Sequence, residues 1–127
     1  MADSSLIGLH ILVVEDDFFV ADHLALLLGA AGAVVVGPAA SVDQGAALID
    51  AADRLDGAVL DINLGGEPSY RLVEVLQARG VPVIFATGYE PDVIPQTYRD
   101  VPLCKKPMDP VGCATLLFGG RTGRWRG

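Results

Sequence analysis

Short apolar runs alternate with stretches of helical spacing from residue 9 to residue 118 of this chain. Leu9-His10-Ile11-Leu12-Val13-Val14 is short and rich in β-branched residues, the pattern of a strand buried on both faces. Beyond Glu15-Asp16-Asp17, the residues Val20, Leu24, Leu27, Leu28 and Ala31 recur at helical spacing, and Gly32 supplies a C-terminal stop. Ala33 to Val36 reads as a second strand closed by Gly37-Pro38. Ser41-Val42-Asp43-Gln44 has the form of a capping box, so a helix runs from there to about Ala52. Ala58-Val59-Leu60 leads into Asp61 as strand three. Tyr70, Leu72, Val73 and Leu76 carry the next helix, with Gly80 after it. Val81 to Ala86 is strand four, its Pro82 near the start where a missing N–H is tolerated.

The helix expected next is poor. Pro91 and Pro95 interrupt Glu90 to Tyr98, and a proline inside a helix costs about 3 kcal/mol. A loop or a single turn is expected instead. Pro102 to Lys105 forms strand five, and Asp109-Pro110 resembles an N-cap and first-turn proline opening a short last helix to about Phe118. Five strands alternating with helices predict an α/β fold: a doubly wound, flavodoxin-like parallel sheet of order 2-1-3-4-5 with right-handed crossovers and an irregular fourth helix. Residues 1–8 read as a lead-in, 9–118 as one domain and 119–127 as a flexible C-terminal tail.

Composition narrows the function. Of 127 residues, 9 are Lys or Arg and 16 are Asp or Glu, a net charge of −7 that argues against a duplex-reading module and permits a cation site. Leu24 to Ala40 carries no charged side chain, but Gly29, Gly32, Gly37 and Pro38 prevent it from being one spanning helix. Residues 1–8 have neither the charge nor the length of a signal peptide. Cys104 and Cys113 lack metal-like spacing and suit a reducing cytoplasm without disulfides. The expectation is a cytoplasmic chain that engages neither nucleic acid nor membrane.

In such sheets ligands bind beyond the carboxyl ends of the strands. Strand one ends in Glu15-Asp16-Asp17, strand three in Asp61, strand four in Thr87 and strand five in Lys105-Lys106. Carboxylates packed together repel by roughly 4 kcal/mol per pair at about 4 Å. A hard divalent cation compensates, and Mg²⁺ takes one or two carboxylates, waters and a phosphate oxygen. A lysine opposite and a donating hydroxyl complete a phosphoryl-transfer constellation in which a carboxylate can be the nucleophile. Each piece also has a plainer reading. Acids after a strand cap helices, and Asp17 is assigned only that role; a threonine ending a strand is often structural; a Lys-Pro pair is often a solvated turn. Coincidence at one edge favours the chemistry.

The sequence here resembles the receiver domain of bacterial response regulators over residues 9–118. The matching segments are Ile11 to Asp17, Val59-Leu60-Asp61-Ile62-Asn63, Phe85-Ala86-Thr87-Gly88-Tyr89 and Lys106-Pro107. The resemblance implies that Asp61 is the phosphoacceptor. Asp16 would ligate Mg²⁺ directly and Glu15 through water, with Asp61 and the backbone carbonyl of Asn63 as further ligands. Thr87 and Lys106 would contact the phosphoryl oxygens. Gly88 matches a position kept small for the phosphodonor, and Tyr89 one that modulates phosphate lifetime. Phe85 to Tyr89, with Gly65-Gly66-Glu67, resembles the FAT GUY subgroup of receivers that often stand alone.

Three departures from the receiver pattern stand out. Leu103 occupies the usual place of a switch Tyr or Phe, Gly65 that of a proline, and a proline-broken segment that of helix four. The expected function is that of a non-enzymatic phosphorelay protein, a monomer or weak homodimer. A sensor histidine kinase or histidine phosphotransfer protein would load it, and it would signal by protein contact or act as a phosphate sink. An alternative is a receiver-like binding module that is never phosphorylated. An aspartyl-phosphate phosphatase of the haloacid dehalogenase type fits poorly, because Asp61 follows the third strand and Asn63 stands where that class has a second acid.

Overall fold

The computed structural model describes residues 6–87, 94–105, 112, 117 and 118. In chain order the elements are β1 (His10–Val14), α1 (Phe18–Ala30), β2 (Val34–Ala39), α2 (Val42–Ala51), β3 (Gly57–Asp61), β4 (Asn63–Leu64), β5 (Glu67–Pro68), α3 (Tyr70–Ala78), β6 (Val83–Thr87), a 3₁₀ turn (Gln96–Tyr98) and β7 (Leu103–Lys105). The main sheet is parallel with order β2-β1-β3-β6-β7, the expected 2-1-3-4-5 once the small antiparallel β4–β5 ribbon is set aside.

Alternation along each strand fills two cores. Leu12, Val14, Leu60 and Phe85 face α2 and α3, meeting Val42, Ile49, Leu72 and Leu76. Ile11, Val13, Val59 and Ile84 face the other way, toward Leu24 and Leu28 of α1 and toward Leu117 and Phe118. Leu6 is fully buried in this second layer, so packing begins ahead of residue 9.

Local chemistry sets the helix ends. Asp17 caps α1, its Oδ1 accepting from the Phe19 and Val20 N–H groups at 3.0 and 3.1 Å. Ser41 Oγ accepts from Gln44 N–H at 3.1 Å, while the Gln44 side chain accepts from Ala40 N–H, one residue before the cap. Gly32 has φ +98°, and a Cβ there would sit 2.5 Å from Ile7 Cγ1, so only glycine lets the lead-in cross the end of α1. Arg79, beyond α3, donates to the Ile49 and Ala52 carbonyls at the end of α2, tying the two helices together.

One boundary differs from the sequence reading. β2 does not close at Gly37-Pro38; it runs on to Ala39 through a cis Gly37–Pro38 peptide, with a register shift opposite Leu12 and Val14. β2 is an edge strand, where a proline's missing N–H breaks no ladder on its open side. The proline-broken segment contains the expected single turn, at Gln96–Tyr98. Gly88 to Val93, most of the last helix and the tail 119–127 lie outside the described residues. Leu72 is fully buried between α3 and the sheet. Leu72→Ala is expected to cost about 2–5 kcal/mol, read as a lower urea midpoint at unchanged slope.

Candidate functional site

Strand register brings the acids together before any ligand is considered. Val14 pairs with Leu60, so Glu15, one residue on, lies level with Asp61. Asp61 pairs with Ala86, and Thr87 with Lys105, which carries the ends of β6 and β7 to the same edge. Glu15, Asp16 and Asp61 each place a carboxylate oxygen so that all three lie within 4.8 Å of one another. Glu15 is buried, Asp61 half-buried and Asp16 exposed, giving the cluster one wall in protein and one in water.

Three carboxylates at that spacing repel by roughly 3–4 kcal/mol per pair at an effective dielectric near 20. Backbone donors offset part of this. Asp17 N–H donates to Glu15 Oε2 at 3.0 Å, and Gly65 N–H donates to Asp16 Oδ2 at 2.9 Å. The oxygen set suits a hard divalent cation. An octahedral ion with metal–oxygen distances of about 2.1 Å holds neighbouring oxygens about 3 Å apart and opposite ones about 4.2 Å apart. The cluster needs little contraction to meet that geometry.

The Gly65 contact comes from a feature that the sequence reading did not place. Asn63 pairs with Pro68 and Leu64 with Glu67, so Gly65-Gly66 is a two-residue hairpin turn. Both glycines have positive φ, +62° and +95°, as a type I′ turn requires. Gly66 N–H donates to Asn63 Oδ1 at 2.9 Å, closing the loop on itself. A proline fits nowhere at position 65: its φ is fixed near −65° and it has no N–H to give Asp16. The departure from the receiver pattern at this position is therefore built into the loop. The Gly-Gly pair between Leu64 and Glu67 was the available signal. Ser69 N–H donates to the Ile62 carbonyl at 2.8 Å, which makes Asn63 a non-hydrogen-bonded ribbon position. Its own carbonyl is not consumed by the ribbon and points away from Pro68.

Thr87 ends β6 at this edge through its backbone pairing. Lys106, Gly88 and Tyr89 lie outside the described residues. A cleft of about 200 Å³ opens beside the acids, lined by Glu15, Asp16, Phe18, Asp22, Pro38 and Ala40 among others. Phe18 and Phe19 at the head of α1 are 76% and 83% exposed and meet edge to face at 5.9 Å. His10 belongs to the opposite end of the sheet, beside Asp56, with Nδ1 3.8 Å from the Asp56 carboxylate.

Known proteins match this fold and the sequence. The solution structure of SdrG from Sphingomonas melonis Fr1 is 36% identical, covers 90% of this chain and 95% of its own, and superposes with a TM-score of 0.74. SdrG from Pseudomonas melonis Fr1 in its BeF₃-activated conformation is 35% identical over 92% of this chain and 96% of its own, with a TM-score of 0.70. The REC domain of the Erythrobacter litoralis response regulator PhyR is 26% identical, covers 89% of each chain and gives a TM-score of 0.73. No protein-family model and no curated protein matches the sequence. Among the described residues, no helix is long and apolar enough to cross a membrane.

The turn makes a local prediction. Gly65→Ala places a Cβ in the left-handed region and is expected to cost roughly 1–2 kcal/mol, with Gly65→Pro costing more. Urea unfolding of the three chains gives the order, and the Asp16 amide shift reports the lost contact in the proline variant.

Proposed function

The chain belongs to the receiver domains of response regulators, and from that we propose that it accepts a phosphoryl group on Asp61 in a two-component phosphorelay. The observation that carries the reading is the meeting of Glu15, Asp16 and Asp61 within 4.8 Å at the carboxyl edge of the sheet. The phosphodonor is a phosphohistidine on a sensor kinase or phosphotransfer protein. An Asp61 oxygen attacks phosphorus, the P–N bond breaks as the P–O bond forms with its electron pair passing to the ring nitrogen, and the imidazole leaves as the neutral ring after taking a proton from solvent. Mg²⁺, held by Glu15, Asp16, Asp61 and the Asn63 carbonyl, would neutralise charge on the phosphoryl oxygens. Asp16 is positioned for this by the Gly65 N–H, and Glu15 by the Asp17 N–H. Thr87 and Lys106 take the phosphoryl oxygens, as the receiver motif assigns them.

The product is a protein carrying about 1.5–2 added negative charges at one sheet edge. It acts as an acceptor and relay rather than a turnover catalyst, and it works by protein contact or as a phosphate sink. Phe85-Ala86-Thr87-Gly88-Tyr89 together with Gly65-Gly66-Glu67 supports placing it with the FAT GUY receivers. The exposed Phe18 and Phe19 beside the acids suit docking of the histidine-bearing partner. A cytoplasmic location follows from that partnership.

Acetyl phosphate with Mg²⁺ is expected to add one phosphoryl mass to the chain. Asp61→Asn, or EDTA with the native sequence, should abolish the addition; an unchanged mass in the native chain would leave the unphosphorylated binding module. Separately, Phe19→Ala should slow phosphotransfer from a histidine kinase at least several-fold while leaving acetyl phosphate labelling intact. Equal effects on both donors would remove α1 from the docking face.

A further inference from the structure

Three rings link strand ends that the sequence holds far apart. The Tyr70 ring, at the start of α3, stacks on Tyr98 with centroids 4.5 Å apart and planes 6° from parallel. The same ring meets Phe85 edge to face at 6.1 Å. The Tyr98 hydroxyl donates to the Glu74 carboxylate, one helical turn beyond Tyr70. Tyr98 sits in the turn at Gln96–Tyr98, whose N–H and C=O are spent on Pro95 O and Val101 N at 2.9 and 3.1 Å. Phe85 lies two residues before Thr87, and Tyr70 is joined to Asp61 by the β4–β5 ribbon. Leu103, where receivers usually carry the switch ring, is aliphatic.

We propose that Tyr98 is a latch: stacked on Tyr70 and hydrogen-bonded to Glu74, it holds segment 94–101 against α3 in the resting state and opposes the rearrangement that follows phosphorylation of Asp61. The inference rests on the phosphoacceptor reading and deepens it by naming the contact that phosphorylation must break. Phosphorylation draws the end of β6 toward the phosphoryl group. Tyr98 lies eleven residues beyond Thr87 and Phe85 two before it, so the contacts through Tyr70 tie segment 94–101 to the strand that ends at the phosphoryl site. Any contact that favours the resting arrangement lowers the affinity of the ligand favouring the other, and removing it raises that affinity by the same factor. The Glu74 hydrogen bond, followed by burial and the charges of Glu74 and Tyr70, raises the Tyr98 phenol above its ordinary value of 10.0. Its hydroxyl is thus a donor across the neutral range, and the bond is lost only as pH rises through that raised value.

The test uses beryllofluoride with Mg²⁺ as the phosphoryl mimic, titrated into the full chain and followed by amide NMR. Tyr98→Ala is expected to tighten apparent binding roughly three- to tenfold, the worth of an aromatic stack. Tyr98→Phe, which keeps the stack and the fold but loses the hydrogen bond, should tighten it by less. At saturation the Tyr98 ring protons of the native chain should lose their ring-current shift. Native binding with unchanged or weaker affinity in both variants overturns the latch alone. No beryllofluoride response in any chain, matching Asp61→Asn, overturns the phosphoacceptor reading and the latch with it.

Discussion

Mutual repulsion among Glu15, Asp16 and Asp61 is the constraint to which the rest of the molecule answers. Parallel pairing of β1 with β3 leaves no freedom in the matter, because once Val14 faces Leu60 the next residues are brought level. Both strands are buried on both faces, so the register cannot slip without moving Leu12 and Ile11 into each other's layers. The sheet is thus held by its two cores in an arrangement that its acidic edge opposes. Main-chain donors answer locally: the α1 entrance supplies one to Glu15 and the Gly-Gly turn supplies one to Asp16. Such N–H groups stabilise carboxylates without adding a mobile cation that would compete with a ligand.

Much of this arrangement is legible in the sequence, for a physical reason. Strands covered on both faces need continuous apolar runs, and Ile11 to Val14 or Val83 to Ala86 announces itself. A strand's end is then marked by the first charged residue after the run, which is how Glu15, Asp16 and Asp61 can be found. β2 is harder, because it lies at the edge with Val34 half exposed, and the same proline that reads as a stop is tolerated there. The β4–β5 ribbon is too short to carry a periodic pattern and depends on the φ of two glycines. The Tyr70–Tyr98 stack leaves no sequence trace, since it joins residues on different elements by lateral contact alone.

Gly65 illustrates how a departure from a family pattern can be a structural commitment rather than a loss. A proline would stiffen this loop but could neither adopt its left-handed turn nor donate to Asp16. The hairpin achieves stiffness by other means: a two-residue turn, an Asn63 side chain that accepts from Gly66, and a ribbon bond that leads directly into α3. The same construction frees the Asn63 carbonyl from the ribbon on the side away from Pro68. Loop rigidity and the direction of the Asn63 carbonyl are therefore set by one element.

Leu103 poses the parallel question on the other side of the site. An aliphatic residue on β7 cannot report the state of Thr87 through a ring, yet the core layer it packs in holds three rings in sequence, Phe85, Tyr70 and Tyr98. They lie on the α2–α3 side of the sheet, where Phe85 and Leu103 are paired backbone neighbours on adjacent strands. In the proposed latch the aromatic contact stands in the turn before β7, and the responsive element is the segment after β6 instead of a strand side chain. That segment carries Pro91 and Pro95 in sequence, and among its described residues, 94–101, the regular structure is the Gln96–Tyr98 turn. A three-residue turn needs another contact to define its resting position, and a stacked tyrosine with a charged acceptor is a contact that a shift of a few ångströms can undo.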